Sequence, residues 1–336
     1  MKHLPAMTAS FDGHSLPEPL VMLEAELQKG LTCYWNSAKT ILDGSTVQLI
    51  EPETITFSLQ RNFFSALFMY SYYKTGIAEE RRILYTAVNQ CLRGMVTGCD
   101  NILDNEYKKT LETDLPAQAH LFRSVLDILV SDRVLFHILL DYCQEHNLPM
   151  EKLVQASTAS LHSLLQSGAQ EASEEDGIKE ILLPTDILAK VHHFKTGVLF
   201  QCTWAIPKIF EETISPAGLA AQESLYNIGM GCQILDDMVD LFLDLSEKRH
   251  NYVASVIFHE EQPHVWQELK DRLVISQSPE DFYADYPKIA AKLKAKALYF
   301  LGSGMSSLFF DQHQYLVQPA TNFIAERIGI NLHQEE

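Results

Sequence analysis

A row of carboxylates inside an otherwise apolar segment constrains this chain more than any other feature of its sequence. Asp236, Asp240 and Asp244 occur at i, i+4 and i+8 within the segment 229–244. On an α-helix these positions lie on one face, about one turn apart. Stacked carboxylates repel each other, and burying them without a partner costs free energy. The segment therefore predicts a helix whose acidic face binds a cation.

A second acidic cluster lies far upstream, at residues 100–106, where Asp100 and Asp104 have the same i, i+4 spacing. Mg²⁺ prefers oxygen ligands and is commonly shared between one or two carboxylates and the phosphates of a substrate. Carboxylate pairs on two facing helices would hold a diphosphate through several Mg²⁺ ions and help it to leave. We therefore expect the two clusters to face each other across a pocket that binds magnesium.

Each cluster also has an ordinary explanation as a solvated helix face. Acidic residues number 44 of 336, so Asp-x-x-x-Asp pairs arise by chance, and for either cluster alone the two explanations are balanced. At Asp236 and Asp237 the metal site is favoured, because a carboxylate row in an apolar run seldom faces only bulk water. The apolar flanking residues are Ile234, Leu235, Met238, Val239, Leu241 and Phe242.

Composition excludes several classes of partner. The formal net charge of −18 argues against a nucleic-acid surface or an anionic membrane as a partner. The six cysteines occur singly, with no CxxC pair, which argues against zinc and against a disulfide framework. The N-terminus has no apolar signal core, and no apolar run is long enough to span a bilayer. These features predict a cytoplasmic protein without integral membrane association.

Apolar residues recur at helical spacing along most of the chain, whereas period-two alternation and hairpin signals are nearly absent. The predicted helices cover 21–42, 57–73, 79–111, 116–143, 150–167, 185–207, 216–244, 252–259, 279–301 and 312–328. The acidic stretch 167–177 is interpreted as a surface loop. The sequence thus predicts an all-α fold, with a loose lead-in at 1–20 and one helical domain at 21–330.

Three motifs resemble those of the trans-isoprenyl diphosphate synthases, the polyprenyl synthetase superfamily. The segment 229–240, Gly-Met-Gly-Cys-Gln-Ile-Leu-Asp-Asp-Met-Val-Asp, looks like the second aspartate-rich motif of that family. The segment 193–200, His-Phe-Lys-Thr-Gly-Val-Leu-Phe, resembles its Lys-Thr-Gly-x-Leu-Phe segment. The segment 100–105 matches the first aspartate-rich motif, with Asn101 in place of the second aspartate. The resemblance implies the isoprenoid synthase fold around a central cavity, and a homodimer.

The resemblance also implies roles for individual residues. Asp100 and Asp104 would bind Mg²⁺ from one wall of the cavity, and Asp236 and Asp240 from the other. Asp237 and Asp244 belong to the same acidic set, with Asp237 behind the direct ligands, and the complete site would hold three Mg²⁺ ions. The residues expected to bind diphosphate are Lys195, Thr196, Gln233, Lys248, Arg249, Lys108 and Lys109. A plain surface basic pair explains Lys248 and Arg249 equally well.

The implied cavity is apolar and aromatic, because aromatic rings stabilise carbocations by cation–π contact. Met95 and Val96 lie about one turn before Asp100, where the family sets pocket depth, and neither is aromatic, so a substrate of C15 or longer fits. Further candidates for the lining are Phe64, Phe68, Phe200 and Trp204, although core packing is the default explanation for each. No histidine is assigned to catalysis; the adjacent His192 and His193 would point about 100° apart on a helix.

Departures from the family pattern decide which reaction the sequence favours. Chain-elongating members bind isopentenyl diphosphate with a Gly-Lys-x-x-Arg segment, of which only Arg61 is retained here. Lys108 and Lys109 stand where those members have Arg-Arg-Gly, and lysine lacks the bidentate grip of a guanidinium. Arg93, two turns before Asp100, is interpreted as part of a core-edge salt bridge.

The weakened second site favours a Mg²⁺-dependent terpene synthase, a lyase that ionises a linear prenyl diphosphate and cyclises or quenches the carbocation. The first alternative is a trans-prenyltransferase that elongates an isoprenyl diphosphate or prenylates another acceptor. The second is an inactive subunit that modulates a related synthase. Retention of the four aspartates argues against that last alternative.

Overall fold

Helices account for nearly all regular structure in the computed structural model, which describes residues 18–104, 107–274 and 278–332. In those ranges, the β pairing consists of one isolated antiparallel bridge between Leu49 and Thr113. The predicted all-α fold is confirmed. The described ranges leave out residues 1–17 of the predicted lead-in, and Asn105 and Glu106 of the first acidic cluster.

The chain divides into two compact units, residues 1–153 and 154–336, which are described separately. The predicted single domain over 21–330 stays a prediction. Among the described helices, none combines the length and the hydropathy needed to cross a bilayer.

Unit 1 is built around helix α3, which packs against both α1 and α4. Its elements are α1 (Glu18–Leu42), a 3₁₀ turn (Thr54–Phe57), α2 (Phe63–Lys74), α3 (Glu79–Leu103), α4 (His120–Glu145) and the first residues of α5 (Met150–Ala172). At Gly98 of α3, a Cβ atom would lie 2.7 Å from the carbonyl oxygen of Ser124 in α4. Glycine at this position therefore lets the two helices approach closely near the end of α3 that carries Asp100.

Helix α3 ends eight residues earlier than the sequence predicts, at Leu103 rather than at 111. The buried Asn101 accounts for the difference, because its side chain binds the backbone of the following loop. Its Nδ2 donates to the carbonyl of Lys108 at 2.9 Å, and its Oδ1 accepts from the Lys108 amide at 2.7 Å. The side chain at the position of the family's second aspartate thus holds the loop that carries Lys108 and Lys109.

Helix α4 carries a buried carboxyl group, Asp127, beneath the loop that follows α3. Burial raises the pKa of Asp127 from 3.8 to about 6, and Thr110, the Leu111 backbone and nearby Arg123 only partly offset that effect. Its Oδ2 atom has no hydrogen-bond partner among the described residues. The folded state therefore favours the protonated form, so stability is lost as the pH rises from about 4 through 6.

We expect Asp127→Asn to become more stabilising, relative to the wild type, as the pH rises. Between pH 4.5 and 7.5 the difference in free energy of unfolding should shift by about 2 kcal/mol in favour of the variant, because the amide never ionises. Urea unfolding at the two pH values measures the shift, and Asp132→Asn on the exposed face of α4 is the control. An equal difference at both pH values would contradict the buried ionisation of Asp127.

Unit 2 is centred on α9, which packs against α14 and against a π-helical segment. Its elements after α5 are α6 (Pro184–Asp186), the π-helix (Ile187–Val198), α7 (Leu199–Gln201), a 3₁₀ turn (Cys202–Trp204), α8 (Pro207–Phe210), α9 (Pro216–Val239), α10 (Leu241–Glu247), α11 (Tyr252–Glu260), α12 (Pro263–Val274), α13 (Pro279–Asp285), α14 (Pro287–Leu308), a 3₁₀ turn (Asp311–Leu316) and α15 (Val317–Ile328). Helix α9 begins as the sequence predicts, with Pro216 in the first turn and the Ser215 hydroxyl accepting from the Gly218 amide at 3.1 Å.

The acidic stretch 167–177 differs from the predicted surface loop. Helix α5 continues through Ala172, so the loop prediction is wrong for 167–172. Glu174 is buried, and its Oε2 accepts a hydrogen bond from the backbone amide of His250 at 2.9 Å. The amide of Ile178 donates to the carbonyl of Lys248 at 2.8 Å. This stretch therefore packs against the chain that follows α10.

Candidate active site

The acidic row runs across the junction of α9 and α10. Asp236 lies in the last turn of α9, Asp240 lies between the two helices, and Asp244 lies in α10. The amide of Asp240 donates to the carbonyl of Asp236, and that of Asp244 to Asp240, both at 2.8 Å. The i, i+4 register therefore continues through the break, and the three carboxylates follow one face as predicted. Asp236 is exposed, and the other two are half-buried.

Both acidic clusters occur at helix ends that disfavour negative charge. The C-terminal end of a helix carries a partial negative charge, which stabilises cations and destabilises carboxylates. Asp236 lies in the last turn of α9, Asp100 lies in the last turn of α3, and Asp104 caps α3. Neither last turn contains a basic residue. Such a local conflict is expected at functional sites rather than at structural ones.

Asp237 differs from its neighbours because it is buried, with 2% of its surface exposed. Its carboxylate accepts hydrogen bonds from His192 Nε2 at 2.9 Å, from Gln233 Nε2 at 2.9 Å and from the Tyr252 amide at 2.5 Å. Both carboxylate oxygens are thus bound by protein donors. The role of Asp237 behind the direct metal ligands stays a prediction.

The buried Asp237 and the half-buried Asp244 have opposite pKa shifts. Burial disfavours the charge of Asp237, but the attraction and hydrogen bond of His192 outweigh it and lower the pKa of Asp237. Burial, followed by repulsion from Asp237, raises the pKa of Asp244 to about 8, although Asn251 donates to its Oδ2 at 2.7 Å. The negative charge of Asp244 is therefore poorly tolerated beside that of Asp237.

Lys195 lies in the π-helix, and its ammonium group faces several carboxylates. Burial lowers the pKa of Lys195, but the negative charges of Glu171, Asp237 and Asp244 raise it by a larger amount. The pKa therefore lies above the ordinary value for lysine. The Nζ atom lies 3.2 Å from Oε1 of Glu171 in α5. The hydroxyl of Ser167 donates to the Lys195 carbonyl at 2.9 Å. Lys195 is consequently a permanent positive charge beside the acidic row.

Two predicted diphosphate-binding residues from distant segments meet in this unit. The Thr196 hydroxyl of the π-helix donates to Oε1 of Gln233 in α9. Gln233 Nε2 in turn lies 3.4 Å from Oδ2 of Asp236. Gly229 permits the approach, because a Cβ atom there would lie 2.8 Å from the Thr196 carbonyl oxygen. The structure therefore links the lysine-containing motif to the aspartate-rich motif.

The basic pair after α10 has a less direct relation to the row. Lys248 is exposed and adopts the left-handed conformation, with φ 57°, at the end of α10. The Arg249 amide donates to the Asp244 carbonyl at 2.8 Å, whereas its side-chain Nε lies 2.9 Å from Oε2 of Glu247. The role of Lys248 and Arg249 in binding diphosphate stays a prediction.

Unit 1 contains the remaining predicted polar residues. Lys108 is exposed, and Lys109 Nζ lies 2.6 Å from Oε1 of Glu112. Arg93 Nη1 donates to Oδ1 of Asn62 at 3.1 Å, next to the only arginine retained from the family's second-substrate segment. Arg93 is therefore joined to that segment by a hydrogen bond. The core-edge salt bridge expected of Arg93 stays a prediction.

The predicted lining residues differ in burial. Met95, Val96, Phe64, Phe68 and Phe200 are half-buried. Trp204 is fully buried, and its ring would lie 3.4 Å from a Cβ atom at Gly218. Core packing therefore explains Trp204. The assignment of the other five to a substrate cavity stays a prediction.

Sequence reasoning missed three residues that contact the site: Glu171, His192 and Asn251. Glu171 belongs to an acidic stretch that reads as a loop, and nothing local indicates that it meets Lys195. His192 belongs to no metal-binding spacing. Asn251 had a usable signal, since an Asn before an apolar segment is a helix N-cap, and it caps α11 through the Ala254 amide at 3.0 Å.

The donors present fit Mg²⁺. Among the described residues, no three His, Cys, Asp or Glu side chains converge closely enough to enclose a metal ion. Mg²⁺ keeps several waters and commonly takes only one or two carboxylates together with substrate phosphates. Exposed Asp236 and half-buried Asp240, one turn apart, provide such a pair. The predicted number of three ions stays a prediction.

Comparisons with solved structures extend over nearly the whole chain. An octaprenyl pyrophosphate synthase from Helicobacter pylori matches 91% of this chain and 98% of its own, with a TM-score of 0.60 and 13% identity. The chain has the isoprenoid synthase fold. A geranylgeranyl pyrophosphate synthetase from Pyrococcus horikoshii matches 92% of this chain and 100% of its own, with a TM-score of 0.55 and 15% identity. The resemblance indicated by the three motifs is confirmed at the level of this fold.

A third solved structure with this fold is a ligand complex. The geranylgeranyl pyrophosphate synthase from Corynebacterium glutamicum, complexed with isoprenyl diphosphate and magnesium, covers 94% of this chain and 100% of its own. Its TM-score is 0.52 and its identity is 14%. No protein-family model and no curated protein sequence matches the chain.

Proposed function

We propose that this chain is a Mg²⁺-dependent trans-prenyltransferase that elongates an isoprenyl diphosphate. Motifs alone rank terpene synthesis first, but the solved structures with this fold that are reported above are prenyl diphosphate synthases, which favours the alternative. The observation that carries the proposal is the contact between Thr196, Gln233 and Asp236. This contact supports the proposal, because it brings the segment expected to bind diphosphate beside the row expected to bind magnesium.

Both acidic clusters are proposed to bind Mg²⁺, Asp100 and Asp104 in unit 1 and Asp236 and Asp240 in unit 2. Mg²⁺ would neutralise the charge that develops on the leaving diphosphate. Lys195 remains charged because its pKa is raised, so it would bind a diphosphate oxygen by a charge-assisted hydrogen bond.

The proposed reaction exchanges one bond for another. The bond between the allylic carbon and the diphosphate breaks, and a carbon–carbon bond forms to isopentenyl diphosphate. The acceptor then loses a proton to restore a double bond. The protein must therefore bind a second diphosphate and keep water away from the allylic cation.

Basic residues of unit 1 support a site for that second diphosphate. Arg61 and Lys108 are exposed, and Arg93 is bonded to Asn62, the neighbour of Arg61. Arg61, Arg93 and Lys108 would bind the second diphosphate in place of the fuller basic set that chain-elongating members have.

A terpene synthase is the second candidate, and one observation favours it. Lys109 is paired with Glu112 at 2.6 Å, so one of the two lysines in the Arg-Arg position is already neutralised. An enzyme that cannot hold isopentenyl diphosphate would cyclise or quench the cation instead.

Product analysis distinguishes the two candidates. The protein is incubated with Mg²⁺ and geranyl, farnesyl or geranylgeranyl diphosphate, with and without isopentenyl diphosphate, and the products are identified by mass spectrometry. Elongation predicts a longer prenyl diphosphate only when isopentenyl diphosphate is present. A hydrocarbon or alcohol formed equally with and without it would contradict elongation and support a terpene synthase.

We also propose that the protein forms a homodimer through α4. Phe122, Leu129 and Phe136 are 54%, 62% and 42% exposed and recur every seven residues. Residues seven apart lie on nearly the same face of a helix, so these side chains form one apolar stripe. Apolar stripes of this kind are typical of helix pairing between subunits. A second copy of the chain would cover the stripe.

Leu129→Glu is expected to convert the protein to a monomer, because the carboxylate would be buried in the pairing face. Light scattering should report the 38.1 kDa of one chain for the variant and twice that mass for the wild type. Leu219→Glu, at an exposed leucine of α9, is the matched control and should remain dimeric. A wild-type monomer, or a dimeric Leu129→Glu variant, would contradict the proposed interface.

A further inference from the structure

His192 is a buried histidine that contacts the acidic site from behind. It lies in the π-helix with 1% of its surface exposed, and its Nε2 lies 2.9 Å from Oδ2 of Asp237. Its Nδ1 has no hydrogen-bond partner within the described part of the chain. The imidazole is therefore directed entirely toward this one carboxylate.

Asp237 joins three structural elements through its two oxygens. Oδ2 accepts from His192 of the π-helix and from the Tyr252 amide at the start of α11, and Oδ1 accepts from Gln233 of α9. A buried carboxylate needs donors or a positive charge to offset its desolvation. Among these donors, His192 is the side chain that is able to supply a positive charge.

Gln233 depends on this arrangement for its orientation. Its Oε1 accepts from Thr196, and its Nε2 lies 2.9 Å from Asp237 and 3.4 Å from Asp236. If Asp237 rotated, Gln233 Nε2 would lose its acceptor. Gln233 Oε1 would then no longer be held toward the Thr196 hydroxyl. The effect would then reach two residues of the proposed diphosphate site.

We infer that His192 is a positioning residue: it holds Asp237 in the orientation from which Asp237 fixes Gln233 and, through Gln233, Thr196. The inference rests on the proposed function for its effect on diphosphate binding. The contact itself rests only on the geometry of unit 2.

The adjacent histidine provides a matched control. His193 is half-buried in the same π-helix, and its Nδ1 bonds the Tyr226 hydroxyl at 2.9 Å instead of a carboxylate. The same substitution at the two positions therefore removes an imidazole and one hydrogen bond in each case. Only the change at His192 removes a donor from Asp237.

The first measurement is the affinity for inorganic pyrophosphate with Mg²⁺, determined by calorimetry on the full chain. His192→Leu should weaken binding roughly 10- to 100-fold, the cost of a hydrogen bond to a charged group. His192→Gln, whose amide reaches the position of Nε2, should bind within a few-fold of the wild type. His193→Leu should bind like the wild type.

Should His192→Leu not fold, His192→Asn replaces it, because its shorter amide cannot reach Asp237. Equal affinity for His192→Leu and the wild type, or equal losses at His192 and His193, would overturn the inference.

The second measurement does not depend on the proposed function. Thermal unfolding is compared for the wild type, His192→Asn, whose amide cannot reach Asp237, Asp237→Asn and the double variant. If the pair is coupled, the double variant loses clearly less thermal stability than the sum of the single losses. Additive losses would overturn the contact. A coupled pair in a wild-type protein that does not bind magnesium pyrophosphate would contradict the proposed function and the positioning role, and would leave only the contact standing.

Discussion

Asp236→Asn is expected to lower turnover by roughly 1,000-fold or more, because a lost metal ligand removes several kcal/mol of charge stabilisation in the transition state. The fold should be unaffected. Asp236 is exposed at the C-terminal end of α9, where removing a negative charge relieves repulsion with the helix dipole. We therefore expect an unchanged circular dichroism spectrum and an unfolding temperature equal to or slightly above that of the wild type.

The control for this prediction is a second exposed aspartate in unit 2. Asp271 lies on α12 and accepts from Gln267 Nε2 at 2.9 Å, away from the acidic row in sequence. Asp271→Asn should retain wild-type turnover. Asp100→Asn tests the other cluster in the same assay and should resemble Asp236→Asn. Wild-type turnover in Asp236→Asn would remove the metal assignment from α9.

Lys195→Gln is expected to raise the KM for a prenyl diphosphate about 100-fold, the loss of one or two charge-assisted hydrogen bonds. The ammonium group is half-buried, and nearby carboxylates hold its pKa above the ordinary value, so it is charged throughout the neutral range. A neutral amide at this position does not offset the charge of a diphosphate. Steady-state kinetics with the prenyl diphosphate varied measure the effect.

Two further variants separate charge from packing. Lys190 is an exposed lysine of the same π-helix, and its Nζ lies 3.2 Å from Oδ1 of Asp186. Lys190→Gln should leave the KM unchanged. Lys195 Nζ lies 3.2 Å from Oε1 of Glu171, so Lys195→Gln alone leaves that carboxylate without this ion pair. The double variant, with Glu171→Gln added, also removes the carboxylate. If the double variant regains stability but not affinity, the loss belongs to the substrate site. Equal KM values for Lys195→Gln and Lys190→Gln would contradict the assignment.

Much of the architecture could be predicted because it depends on local spacing. Apolar residues at helical intervals identified most helices, and Gly76, with φ 79°, ends α2 where a glycine stop signal predicts. The acidic row kept its predicted register because i, i+4 spacing is a property of the helix itself. The start of α9 followed from Ser215 and Pro216 for the same reason.

The features that escaped prediction all depend on contacts between distant residues. Helix α3 ends early because Asn101 binds the backbone of Lys108, and the spacing of apolar residues does not reveal such a bond. The π-helix contains ordinary helix-forming residues, and its Gly197 packs against the Tyr226 ring of α9. Glu171 meets Lys195 only because α5 extends through residues that resemble a loop.

The choice between reactions shows the same limit. A motif comparison counts arginines at fixed positions, and on that count the second site is weakened. In the structure, Arg93 donates a hydrogen bond to Asn62, the neighbour of Arg61. Arg93 and Asn62 are 31 residues apart in the sequence. Site chemistry of this kind depends on which side chains meet, and a motif does not record such contacts.

The stoichiometry of diphosphate release tests the central claim most directly. The protein is supplied with Mg²⁺, farnesyl diphosphate and ¹⁴C-labelled isopentenyl diphosphate, and released pyrophosphate and labelled product are counted together, with Asp236→Asn as the blank. Elongation predicts one pyrophosphate for each isopentenyl unit incorporated, and no release above the blank when isopentenyl diphosphate is omitted. Release that continues at the same rate without isopentenyl diphosphate, with no label in the product, would contradict the proposed function.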